Sequence, residues 1–349
     1  MSTIRVRGWR LPDGDLVDLY ADGDRWTDEA VPNAELVGEG WLLPGLVDAH
    51  THPGAQTPGQ PLDEELLRAD LREHVRAGVT LLRAPGLAGD PPAWFGQEES
   101  LPRAVHAGRW LAQPGQFFDG WARHGAPDDL PRLAAAQARR SGWAKLIGDW
   151  GLQDAVVSPA VLRAIVAAVH DVGGRVAVHS QHAEGGAAAV SAGVDSLEHG
   201  MCLDPTLLPE MARQGIALTP TLAVLTSSLA QARAAPDSPR RDWFLGGADV
   251  HGSLAADAAD AGVTILAGTD SRPHGRVADE GRALAGAGVS PHVALGAASW
   301  TARTYLGLDG LIPGAPADVV VYDEDPRGDV DQLDEPRAVI LRGQVRRRR

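Results

Sequence analysis

Of the 32 lysine and arginine residues in this 349-residue chain, one is a lysine, Lys145. Arginine stays protonated at any physiological pH. A desolvated lysine can lose its proton and react with carbon dioxide to give an anionic carbamate, a group able to bridge two metal ions. Lys145 sits in AKLIGDW, a short apolar stretch that reads as the end of a strand. A plain buried pair between Lys145 and a carboxylate such as Asp149 is the alternative, and it would leave a mononuclear site. Four more segments carry metal-ligand chemistry: His50 and His52 in LPGLVDAHTHP, His179 in RVAVHS, His199 in DSLEHG and Asp270 in TILAGTDS. Each lies at the carboxyl end of an apolar run. Residues two apart on an extended strand face the same way, so His50 and His52 can turn toward one ion. Neutral imidazole with carboxylate suits zinc or a similar divalent metal. A single buried histidine is more often a core residue than a ligand, but such strand ends in chain order, one holding the only lysine, are hard to explain as packing. Asp270 alone could also be read as a helix cap.

Positioning these groups requires strands that deliver their carboxyl ends to one face. Apolar runs near 43–50, 79–84, 109–114, 144–149, 175–180, 195–199, 217–221 and 264–270 alternate with helical patterns, as a parallel α/β barrel requires. The stretch 62–77 spaces Leu66, Leu67, Leu71 and Val75 to face the barrel, and 158–171 opens with Ser158 as cap and Pro159 behind it. The flanks differ: 1–40 alternates short strands with Asp-Gly turns, and 311–349 carries ADVVVYD and AVILRGQV. The stretch 226–242 reads as a mobile loop. Barrel enzymes hold their chemistry at the carboxyl ends of the strands, where every candidate ligand falls.

The approach EGWLLPGLVDAHTH, the AGVDSLEHG segment, TPTL at 219–222, GTDS at 268–271 and the closing IPGAPADVVVYDEDP together resemble the metal-dependent amidohydrolase superfamily. The likeness is to its imidazolonepropionase-like and prolidase-like branch, whose fourth strand carries a carboxylated lysine. The resemblance implies a (β/α)8 TIM barrel over 43–310 with a small β-sandwich built from 1–42 and 311–349. It also implies two divalent metal ions, zinc foremost: His50, His52 and Asp270 on one, His179 and His199 on the other, and carboxylated Lys145 between them. Such a pair shares a hydroxide and polarises a carbonyl, with Asp270 as general base and acid. The expected reaction is hydrolysis of an amide-type C–N bond in a cyclic amide or imide, an N-acyl compound or a dipeptide. The same centre would serve a lactone, carbamate or phosphotriester. Deamination at one metal would use a Glu near the fifth strand, for which Glu184 is placed. A non-catalytic scaffold would be expected to have lost ligands, and none is missing here.

Substrate contacts are expected on the loops after the strands. Candidates are Trp121, His124, Trp150, Thr221, Arg272 and His274, with Arg83, Gln116 and His182 also in such loops; His182 is expected to begin the next helix. His74, His106, His170, His251 and His292 fall in helical or surface patterns and receive no chemistry. With 44% hydrophobic residues the chain can bury a sizeable core. One cysteine, Cys202, excludes an intrachain disulfide framework and reads as a core residue or a neighbour of the ligands. A net charge of −14 argues against nucleic-acid partners, and the terminal RRRR reads as a solvated tail. The start MSTIRVRGWRLPDGD has no apolar targeting core and no run is long enough to span a bilayer. The expectation is a cytoplasmic enzyme acting on a small molecule, with homo-oligomerisation open.

Overall fold

The computed structural model describes residues 3–348. The two ends of the chain meet in one seven-stranded sheet. Its order is Gln344–Arg348, Ala338–Leu341, Val319–Tyr322, Glu35–Pro44, Ile4–Arg10, Asp15–Asp22 and Arg25–Thr27. The N- and C-terminal segments, expected to form a small sandwich, are thus joined in one hydrogen-bonded ladder. Alternation writes this sheet: Ile4 and Val6 point inward beside Val37, Val319, Val321 and Ile340, a cluster separate from the main core. Gly8 stands opposite Gly40, where a Cβ on Gly8 would sit 1.8 Å from the Gly40 oxygen, so only glycine permits that pairing. The arginine-rich end is no frayed tail. Arg346, Arg347 and Arg348 lie in the edge strand and donate to Glu99 O, Arg76 O and the Glu35 carboxylate; Arg349 lies outside the described residues.

The remaining strands run parallel, and most of them are buried on both faces, which is why those read as unbroken apolar runs; Arg103–His106 and Arg123–His124 are the exceptions. Leu46–Asp48, Val79–Ala84 and Arg103–His106 form one sheet. Ala217–Thr219, Ser196–His199, Arg175–Ser180 and Trp143–Ile147 form a second, extended by Leu111–Ala112 and Arg123–His124. Isolated parallel bridges link His106 to Gly142, Leu218 to Ile265 and Thr51 to Asp270. Three expected strands differ. The run 43–50 is broken at Gly45, where a Cβ would lie 2.0 Å from Thr80 Oγ1; residues before it belong to the terminal sheet and Leu46–Asp48 to the parallel one. The neighbour of Val79–Ala84 is Arg103–His106 rather than 109–114, because RAVH begins with an arginine ion-paired to Asp318 and shows no apolar run. The stretch 264–270 makes only bridges, ending at Asp270 with φ +61°.

Helices pack outside. Glu64–Arg76 is capped by Asp63 and buries Leu67, Leu71 and Val75, with Leu66 half-buried; Pro159–His170 is capped by Ser158, which accepts from the Val161 amide. The stretch 226–242 is not a loop. Apart from a connection at 235–238 it belongs to Leu222–Ala234 and to Pro239–Asp260, the latter capped by Ser238, so that Ser238 and Pro239 are start signals rather than breakers. Among the described residues no helix is long and apolar enough to cross a membrane.

Candidate active site

The carboxyl ends of the parallel strands bring His50, His52, Lys145, His179, His199 and Asp270 to the floor of one cavity of about 870 Å³. The imidazoles form a chain: ring centroids lie 4.9 Å apart for His50 and His52, 5.0 Å for His50 and His199, and 4.6 Å for His179 and His199. Donor atoms of His50, His52 and Asp270 all fall within 4.8 Å of one another, close enough to share an ion. Asp270 Oδ1 is 3.5 Å from His50 Nε2 and 3.2 Å from His52 Nε2.

Behind three of the four rings a partner occupies the far nitrogen. His50 Nδ1 meets Glu198 Oε2 at 2.5 Å, His52 Nδ1 meets Gly86 O at 2.7 Å, and His199 Nδ1 meets Thr221 Oγ1 at 2.8 Å. All three therefore turn Nε2 toward the centre, and His179 Nε2 is buried without a partner. Burial drives His50 and His179 well below the usual imidazole range and His199 to about 4, with the Lys145 charge adding to each, so these rings are neutral donors. Asp270 is pushed up by burial, but the His52 hydrogen bond and the neighbouring His50 and His199 imidazoles outweigh this and hold it well below the usual carboxylate range.

Lys145 is 1% exposed and its Nζ has no hydrogen-bond partner. Burial lowers it to about 8, with Arg83 adding to the effect and Glu198 and Asp270 opposing it, so part of the amine is unprotonated near neutral pH. The Lys145–Asp149 pair considered from sequence does not form. Asp149 instead accepts from Ser180 Oγ at 2.6 Å and from the Gln181 amide at 2.8 Å. An orphaned buried amine beside an orphaned imidazole nitrogen and neutral, oriented rings is a donor set that fits metal ions with a bridging group derived from the lysine.

Glu198 escaped the sequence reading. It is fully buried, takes Arg83 Nη2 at 2.8 and 2.9 Å and Ser196 Oγ at 2.5 Å, and braces His50 from behind. Burial raises this carboxyl, but Arg83, Lys145 and His50 hold it well below its usual range. The available signal was a charged residue inside the apolar run before His199, two places from Ser196 on the same strand face. His199, Thr221 and Asp270 all have positive φ, at +66°, +54° and +61°, a backbone cost of order 1–3 kcal/mol each that clusters at this site.

The substrate candidates divide. Trp121, Trp150 and Arg272 line the cavity. Thr221 acts behind His199 and borders a smaller adjoining pocket. His124 lies outside the cavity lining, bonded through Nε2 to Gln116 O, and Gln116 in turn bonds Ala155 O. His274 is buried beside Thr51 and Asp70, behind the ligands rather than over them. His182 stands at the start of Ala183–Ala192 as expected, against Trp243. Cys202 is half-buried, packed near Gly247 and outside the imidazole chain. Glu184, which deamination would need, is exposed and outside the cavity lining. His74 and His251 prove buried, and His106 lies in a strand. Sequence reading also missed Trp110, Phe117, Phe118, Trp243 and Phe244 on the cavity wall.

The family model described as the amidohydrolase family matches residues 41–346. An uncharacterised protein of Mycobacterium tuberculosis is 39% identical over 98% of this chain and 95% of its own length. An Aspergillus niger ochratoxinase is 31% identical over 66% of this chain and 50% of that protein. Among solved structures, a Xaa-Pro dipeptidase with methionine bound in its active site superposes with a TM-score of 0.84 at 22% identity, covering 99% of both chains.

Proposed function

The chain belongs to the amidohydrolase family, hydrolytic enzymes acting on C–N bonds, and from that premise we propose that it cleaves an amide-type C–N bond at a two-metal centre on the cavity floor. In this reading 43–310 is an eight-stranded barrel closed by the isolated bridges, and 1–42 with 311–349 is an accessory domain. His50, His52 and Asp270 would hold one divalent ion, His179 and His199 the other, and Lys145 as a carbamate would bridge them, with zinc the best match to the donors. Bound there, such a pair supplies Lewis acidity to polarise the carbonyl and to acidify the attacking water.

The chain's own residues do the rest. Asp270, 3.2 Å from His52 and bordering the open cavity, takes the proton from attacking water and returns it to the departing nitrogen. Glu198 with Arg83 fixes His50, and Thr221 fixes His199, so the donors need no reorganisation. Trp121 and Trp150 form an apolar wall, and Arg272, ion-paired to Asp70, lines the same cavity. Candidate substrates are cyclic amides or imides, N-acyl compounds and dipeptides.

The observation that carries this reading is the Lys145 amine, buried, unpaired and lowered to about 8 amid neutral imidazoles. The test is a panel of cyclic amides, N-acyl amino acids, dipeptides and lactones assayed with the wild type and Asp270→Asn. Amide turnover that collapses in the variant while metal content is retained supports the reading. Turnover of lactones alone, or a variant with near-normal rates, overturns it.

A further inference from the structure

We propose that Glu280 is a positioning residue of the metal centre: by capping the helix Leu222–Ala234 from outside, it frees the Thr221 hydroxyl to hold the His199 ring. The proposal rests on the two-metal reading above, in which His199 is a ligand. Its first ground is a helix cap that does not act as the others do. Asp63, Ser158 and Ser238 precede their helices with extended backbone, and each side chain accepts from an amide of its own first turn. Thr221 stands in the same place before Leu222–Ala234, and its carbonyl accepts the Leu225 amide at 3.3 Å. Its hydroxyl nevertheless makes no cap bond, and its backbone lies at φ +54°, where a β-branched side chain is strained.

The hydroxyl is engaged elsewhere, with Thr221 Oγ1 2.8 Å from His199 Nδ1. A neutral imidazole that offers its Nε2 lone pair to an ion carries its proton on Nδ1, so Thr221 Oγ1 is the acceptor in that bond. Ordinary capping would turn the same oxygen onto the Ala223 or Val224 amide and would take Thr221 out of the left-handed region.

Glu280 removes that competition. Fully buried on Val277–Gly286, it accepts the Leu222 amide at 2.9 Å through Oε1 and the Ala223 amide at 2.7 Å through Oε2. Two of the donors left open at this helix start are thus satisfied by a neighbouring helix. On the other side of Thr221, His251, 1% exposed on Pro239–Asp260, donates from Nε2 to Pro220 O at 2.9 Å. Thr221 is therefore pinned from both sides in a conformation its own side chain disfavours. Without Glu280 the Ala223 amide loses its partner, and Thr221 satisfies it by relaxing to an extended cap whose hydroxyl has left His199. Glu280 does not line the cavity, so it acts through Thr221 and not on substrate.

The test is cobalt(II) titration of metal-free protein, followed by visible absorption, in the wild type, Glu280→Gln, Thr221→Val and the double variant. A carboxyl accepts through both oxygens whether or not it is ionised, whereas a carboxamide has one acceptor oxygen. Valine keeps the shape of threonine without its hydroxyl. Each single variant should weaken one of the two cobalt sites on the order of tenfold or more and leave the other within about twofold. The double variant should be no weaker than the weaker single, because the two residues act in series. Glu280→Asp, which draws the carboxyl back from the amides, should behave as Glu280→Gln, and Thr221→Ser, which restores the hydroxyl, should recover most of the affinity. Ser290→Ala removes the cap of Pro291–Ala297, whose residues do not line the cavity, and should move neither site, which separates positioning from a general loss of stability. Unchanged cobalt affinity in Glu280→Gln and Glu280→Asp, or single losses that multiply in the double variant, overturns the proposal and leaves the two-metal centre standing. A wild type that binds fewer than two cobalt ions removes the two-metal reading and this proposal with it.

Discussion

Breaking the buried pair between Glu198 and Arg83 should weaken both the fold and the metal centre. Glu198 accepts from Arg83 Nη2, His50 Nδ1 and Ser196 Oγ, and both charged side chains are 1% exposed or less. Glu198→Gln replaces one acceptor oxygen by a donor facing guanidinium N–H groups and leaves the Arg83 charge uncompensated. Removing one partner of such a pair costs about 3–5 kcal/mol, a large share of the roughly 5–15 kcal/mol that holds a typical domain. Arg83→Met leaves the Glu198 carboxylate unbalanced at a similar cost. The double variant removes both charges and should recover about 2–3 kcal/mol relative to the sum of the singles. The assay is urea unfolding of metal-free protein, with zinc affinity measured beside it. Affinity in Glu198→Gln should fall on the order of 10- to 100-fold because His50 loses its brace. Single costs below about 1 kcal/mol, or additivity within about 0.5 kcal/mol, would refute the claim that the pair anchors His50.

Further expectations concern other parts of the centre. Lys145→Arg should abolish turnover and reduce bound metal, since a guanidinium cannot become a carbamate; an active Arg variant would remove the bridging role. Glu280, fully buried, receives the Leu222 and Ala223 amides at 2.9 and 2.7 Å, and burial raises it to about 8 despite those bonds. A carboxyl whose folded pKa is raised contributes stability at low pH that is lost as pH rises toward the folded value. The wild type should therefore lose ground to Glu280→Gln between about pH 4.5 and pH 8, by about 1.4 kcal/mol per pH unit. Parallel melting temperatures across that range would contradict this.

How much was legible in the sequence depended on whether a residue's role was written in its own neighbourhood. His50, His52, Lys145, His179, His199 and Asp270 stand at the ends of apolar runs, and the structure gathers them at one cavity. Arg103–His106 was hidden because its opening arginine is satisfied by a tertiary partner, Asp318, which no local pattern records. Glu198 stands out locally as a charge inside an apolar run, but its role was not legible because it comes from Arg83, on a distant strand. His124 and His274 looked available because loop residues default to solvent, yet one bonds Gln116 O in its own loop and the other packs against Thr51. The stretch 226–242 was misread as a loop from composition, since Ser238 and Pro239 begin a helix there.

The most direct test of the two-metal account is metal content per chain, by plasma mass spectrometry, on protein produced with added zinc and bicarbonate and without chelator. The account predicts about two ions per chain in the wild type and a loss of at least one in Lys145→Ala. One ion per chain in the wild type, or two in both proteins, would contradict a centre bridged through Lys145.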